Sequence, residues 1–163
     1  MKKIAILTLV VLLAAAAGGF ALKGTPNLAI GAELTSINFE DFGAMLALHI
    51  PKIPLFLGFG VASVQNFADP TLALTVDYWL MHRHLVSIME MYVGLGLYGA
   101  LGFDPTTYAV GLRLPIGLQF WVLKNERLEV FLEGAPAWVP VVTNNFDPVN
   151  FQAQVALGFR LWF

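Results

Sequence analysis

The chain predicts an all-β fold: a closed eight-stranded antiparallel up-and-down transmembrane β-barrel, preceded by a cleavable signal peptide. Three observations carry that prediction. Residues Asn150 to Phe163 alternate without a break, with Phe151, Ala153, Val155, Leu157, Phe159, Leu161 and Phe163 on one face and Gln152, Gln154, Gly158, Arg160 and Trp162 on the other. A period of two is the period of a strand, because successive side chains point to opposite sides of a pleated backbone. Seven upstream segments repeat the pattern. The composition, 58% hydrophobic and only 12% charged, is far below the roughly 25% charge of a soluble domain. Much of this surface therefore faces something other than water.

The N-terminus reads as an export signal. Met1-Lys2-Lys3 is basic, Ile4 to Ala17 is apolar, and Gly19-Phe20-Ala21 sets small residues at the −3 and −1 positions of a cleavage site. These are the three parts of a signal peptide. The apolar run is shorter than the about 20 residues a spanning helix needs. Residues 1–21 are assigned to the signal and 22–163 to the barrel domain.

The strands follow in order. Asn27–Ser36 turns Leu28, Ile30, Ala32 and Leu34 outward and Glu33 inward; Asp41–Ile50 opposes Phe42, Ala44, Leu46 and Leu48 to Met45 and His49. Leu55–Val64 sets Leu57, Phe59 and Val61 against Gly58 and Gly60, and Leu72–Leu80 sets Leu74, Val76 and Tyr78 against Thr75, Asp77 and Trp79. In the fifth strand Met89, Met91, Val93, Leu95 and Leu97 oppose Glu90, Tyr92, Gly94, Gly96 and Tyr98. Tyr108–Val122 carries Arg113, Gly117 and Gln119 inward, and the strand from Leu128 carries Glu129, Phe131 and Glu133 inward. A sheet with one wholly apolar face would leave unpaired edges in lipid, so it is expected to close.

An even strand number puts both termini at one end. Turns there are expected at Pro51–Pro54, Met81–His84 and Lys124–Glu126, with the opposite loops at Ile37–Glu40, Gln65–Thr71, Gly99–Thr106 and Val142–Pro148. Three of those loops share a Phe-Asp-Pro theme, a turn-forming pair after an aromatic residue. Aromatics on the apolar face cluster toward both ends (Tyr78, Phe120 and Phe163; Tyr108, Trp138 and Phe151), as interfacial girdles do. Pro115 and Pro136 each remove a ladder donor; Pro115 is expected opposite Ala135, which sets the two prolines at one level and makes a bulge there; a lateral opening is the alternative.

The expected lumen charge network comprises Glu33, His49, Asp77, Glu90, Arg113, Glu129, Glu133 and Arg160. Buried charges must be paired, and Arg160 is expected between Glu129 or Glu133 on one side and Glu33 on the other. Inward glycines leave space, so a narrow channel for ions or small solutes stands beside the plugged, structural reading. A lipid-modifying enzyme is the most distant reading, since no serine, histidine and acid fall together; no catalytic residue, cofactor or metal site is expected. With no cysteine there is neither a disulfide nor a thiolate site, and a net charge of −2 argues against a nucleic-acid partner.

Together these features resemble the small outer-membrane barrels of the OmpA transmembrane-domain, OmpX and OmpW type. Gly158, Leu161 and Phe163 are similar to the C-terminal signal read by the barrel-assembly machinery, whereas Ala156 departs from it where a polar residue is usual. The resemblance implies the bacterial outer membrane, with lipid and the assembly machinery as partners and a monomer as the expected state. A periplasmic peptidoglycan-binding domain, such as OmpA itself carries, is not expected, because the chain stops at the barrel. The mature chain folded in detergent should give β-type circular dichroism and heat-modifiable gel mobility, and a helical spectrum would overturn the architecture.

Overall fold

The computed structural model describes residues 27–163 except 65–68, 104–106, 124–125, 144 and 147. The signal peptide expected over 1–21 lies outside the described residues, as do parts of the three Phe-Asp-Pro loops and of the Lys124–Glu126 turn. Ten strands follow one another: β1 (Ala29–Ile37), β2 (Asp41–Ile50), β3 (Leu55–Val64), β4 (Asp69–Val86), β5 (Met89–Gly102), β6 (Tyr108–Arg113), β7 (Ile116–Trp121), β8 (Leu128–Val142), β9 (Asn145–Phe146) and β10 (Phe151–Trp162). They build eight staves, because β6 and β7 are one stave interrupted at Leu114–Pro115 and the short β9 pairs only with β8.

Every pairing is antiparallel, and β10 pairs with β1 on one side and β8 on the other. The sheet therefore closes on itself, which leaves no long edge unpaired. The period-two pattern sets the register: Leu34 sits opposite Leu157 and Leu46 opposite Phe59. Outward side chains stay bare, with Leu34 66% and Phe151 69% exposed, while the inward Ala29, Tyr92 and Phe131 are fully buried. An apolar belt of this kind fits hydrocarbon as its solvent. Asn27 and Phe163 lie at one end of the barrel, called here the near end.

The structure departs from the sequence reading at β4. No turn forms at Met81–His84; β4 continues to Val86, and the chain reverses at Ser87, whose φ is 37°. A register shift between Trp79 and Met81 is the cause. The extra residue of that bulge resets the alternation, so Trp79 and His82 both face the near mouth.

The prolines also behave differently from a bulge. Arg113 pairs with Ala137 and Ile116 with Gly134, so the register runs through Pro115 without slipping. The Leu114 N–H donates to the Pro136 carbonyl (3.0 Å), and the Gly94 N–H donates to the Pro115 carbonyl (2.8 Å). Each proline lacks a donor yet still accepts, and the wall stays closed. The bulge lies farther along β8, where Val139 and Pro140 together oppose Gly111. A bulge is a place where a strand tolerates proline. Because Pro136 faces outward, Pro136→Val should return a donor to the Leu114 carbonyl and raise stability by about 0.5–1.5 kcal/mol, read as a higher urea midpoint in lipid or detergent.

Candidate functional site: the barrel lumen

Inward side chains fall in three layers. Farthest from the termini, Met45, Ala62, Ala73, Tyr98, Ala100, Ala137 and Val139 form an apolar cluster. Small side chains dominate there because eight staves leave little room inside.

The middle layer holds the charges. Arg113 comes from the end of β6 and is 6% exposed. Its Nε lies 3.2 Å from Asp77 Oδ1, its Nη2 pairs with Glu133 Oε1, and its Nη1 donates to Gln154 Oε1 at 3.2 Å. The Tyr92 hydroxyl donates to Glu133 Oε2 at 2.6 Å. Arg160 makes a separate pair: Nη1 donates to Glu129 Oε1 at 2.6 Å, and the Trp162 indole donates to Glu129 Oε2 at 2.8 Å. Arg160 and Glu129 are direct cross-strand partners. The guanidinium also lies 3.7 Å from the Phe131 ring centroid and 4.8 Å from that of Phe56, close enough for cation–π attraction.

The near layer is aromatic. Phe56 stacks on Trp79 with centroids 3.8 Å apart, and Trp79 stacks on Tyr92 at 4.0 Å. His49 packs between Phe56 and Trp162, and its Nδ1 bonds the Asn27 carbonyl oxygen at 2.9 Å. Below this layer the near mouth opens into a cavity of about 480 Å³.

The structure thus brings Asp77, Arg113, Glu129, Glu133 and Arg160 into one buried layer, but as two separate pairings. Glu33 forms no salt bridge among the described residues; its Oε1 lies over Gly58, where a Cβ would stand 3.3 Å away. Arg160 pairs on the Glu129 side and not with Glu33. Glu90 is not part of the central layer. It sits on the near rim with His82 at 2.9 Å and His84 at 3.5 Å, and it accepts from the Trp121 indole at 2.9 Å. His49 belongs to the aromatic layer. Of the three C-terminal residues singled out, Leu161 and Phe163 face outward, 43% and 70% exposed, and Gly158 packs against Phe131.

No protein-family model and no curated protein matches the chain by sequence. Solved structures similar to it in shape include two small barrels. The crystal structure of Neisserial surface protein A (NspA) aligns with a TM-score of 0.52 and 11% identity, covering 84% of this chain and 96% of that one. The N-terminal β-barrel domain of Pseudomonas aeruginosa OprF aligns with a TM-score of 0.53 and 14% identity, covering 86% and 99% respectively. The fold is that of the small outer-membrane barrels. At such identities the likeness concerns the path of the backbone and not any site.

Sequence reasoning placed Trp79, Tyr92, Phe131 and Trp162 on inward faces but built the site from the charges alone. Tyr92, Trp79, Phe56, Phe131 and Trp162 are all buried inside the barrel. The signal was present as size complementarity: a Cβ at Gly117 would collide with Tyr92, one at Gly96 with Asp77, and one at Gly158 with Phe131. Space beside these glycines is occupied. Arg160→Met should therefore leave Glu129 buried without its partner and destabilise the fold by about 3–5 kcal/mol. Arg160→Met with Glu129→Gln, which keeps an acceptor for Trp162, should recover most of that loss in equilibrium unfolding.

Proposed function

We propose that this chain is an integral protein of the bacterial outer membrane with a filled lumen and a structural, envelope-stabilising role. In this reading residues 1–21 direct export, and the assembly machinery reads Gly158, Leu161 and Phe163. One copy then sits in lipid, with the termini at the periplasmic end. The outward apolar belt supports the lipid-embedded part of the reading.

One observation carries the filled lumen. The cavities left around the charge layer measure about 20 Å³ beside Arg113 and Glu133 and about 10 Å³ beside Asp77 and Arg160. A single water needs roughly 10–15 Å³, so each has room for about one. A hydrated ion does not fit, and the stacked Phe56, Trp79 and Tyr92 rings lie across the path just below.

The mature protein in planar bilayers should show no stepwise conductance. Removing two stacked rings with Phe56→Ala and Trp79→Ala should produce discrete openings. Wild-type openings that disappear on neutralising Glu129 and Glu133 would overturn the filled-lumen reading in favour of a cation channel.

A further inference from the structure

We propose that the outer rim of the near end is a docking surface for anionic phospholipid headgroups. The proposal rests on the lipid-embedded reading and adds which leaflet chemistry each end meets. Among the described residues, every lysine and arginine outside the lumen lies at the near end: Lys52, Arg83 and Arg127, all exposed. None of the three forms a salt bridge among the described residues. Of the acids at that end, Glu90 is held by His82 and Trp121, which leaves Glu126 exposed. No lysine or arginine stands at the far end among the described residues, and Glu40 is exposed there.

Stagger brings the three cations to one height. Following cross-strand partners once around the wall from Met89 returns to β5 at Gly99, ten residues farther along. With about 3.3 Å per residue and about 4.8 Å between staves, that shear tilts the strands by about 40°. Lys52 in the turn after β2, Arg83 opposite Met91, and Arg127 just before β8 then stand within about 5 Å of one level. Arg83 points outward, since His82 and His84 on either side of it turn to Glu90. Each cation also has an exposed apolar neighbour. Ile53 follows Lys52, Leu85 lies two residues beyond Arg83, and Phe163 follows Trp162, whose N–H donates to the Arg127 carbonyl. Lysine and arginine lay their aliphatic stems along such surface and carry the charge out to the polar side. The spacing decides the form of the anion. Lys52 lies between β2 and β3, Arg83 on β4 and Arg127 between β7 and β8, so they are spread around the wall and cannot converge on one phosphate. A leaflet of separate anionic headgroups meets all three, and basic residues at a membrane surface are drawn to such a leaflet.

The test reconstitutes the mature chain in phosphatidylcholine vesicles doped with spin-labelled phosphatidylglycerol or spin-labelled phosphatidylcholine. Electron spin resonance reads the fraction of each label held at the protein surface. At low salt the anionic label should be preferred by about twofold, and the preference should fall close to parity in about 0.5 M NaCl, where exposed charges are screened. Replacing all three cations (Lys52→Gln, Arg83→Gln, Arg127→Gln) should remove at least half of the preference. The salt comparison uses the unaltered chain and decides the matter if that variant does not fold. An inserted chain with no preference, a preference indifferent to salt, or one unchanged in the folded triple variant overturns the proposal and leaves the barrel reading standing. Loss of the preference to inorganic phosphate at matched ionic strength would mean a discrete phosphate site and overturns it too. So does a change of equal size in Glu40→Gln, which would trace the effect to net charge and not to the near rim. A chain that inserts in no lipid, with no heat-modifiable band, overturns the lipid-embedded reading and this proposal with it.

Discussion

Closure is the constraint on which the rest of this molecule depends. β10 must satisfy β8 and β1 at once, because an apolar surrounding offers no partner to a free backbone N–H or C=O. Once the ring is closed, successive residues of a stave face out and in by turns, with the phase reset where a bulge inserts a residue. The outward set is released from packing and needs only to be apolar. The inward set is confined to a narrow cylinder and must fill it. Even the prolines obey this rule: Pro115 and Pro136 sit where each can still accept a bond from its neighbour.

Filling the cylinder explains the lumen's chemistry. Large side chains stand where a neighbouring stave supplies glycine, as Tyr92 does over Gly117 and Asp77 beside Gly96. The two guanidiniums then organise the middle layer. Arg113 reaches Asp77, Glu133 and Gln154 from a single position, and Arg160 divides its contacts between Glu129 and the aromatic rings. Burial makes these contacts hard to replace singly, since a lone charge left behind is costly. A layer that is ionic in the middle and aromatic below is well suited to a static interior. The wide near mouth lies beyond it.

Legibility divided along the same line. β2 and β3 begin and end where alternation placed them, at Asp41–Ile50 and Leu55–Val64, because turn residues bound both. β4 ran past its expected turn because a bulge at Trp79–Met81 shifts the phase, and one inserted residue is invisible to a period of two. That slip hid His82 and His84 as loop residues and left Glu90 assigned to the central network. Arg160 with Glu129 was within reach of sequence reasoning, since neighbouring antiparallel staves set them opposite. Arg113 with Glu133 was not, as Arg113 stands opposite Ala137 and reaches Glu133 along the lumen.

What this sequence determines alone is the two-faced strand, the apolar exterior, and hence closure, for these follow from alternation and the cost of an unpaired edge. What only the tertiary structure decided is who meets whom inside. That depends on stagger between staves, on one bulge, and on contacts across the lumen between residues far apart in the chain. Periodicity specifies a direction for each side chain, whereas register and diameter specify its partner.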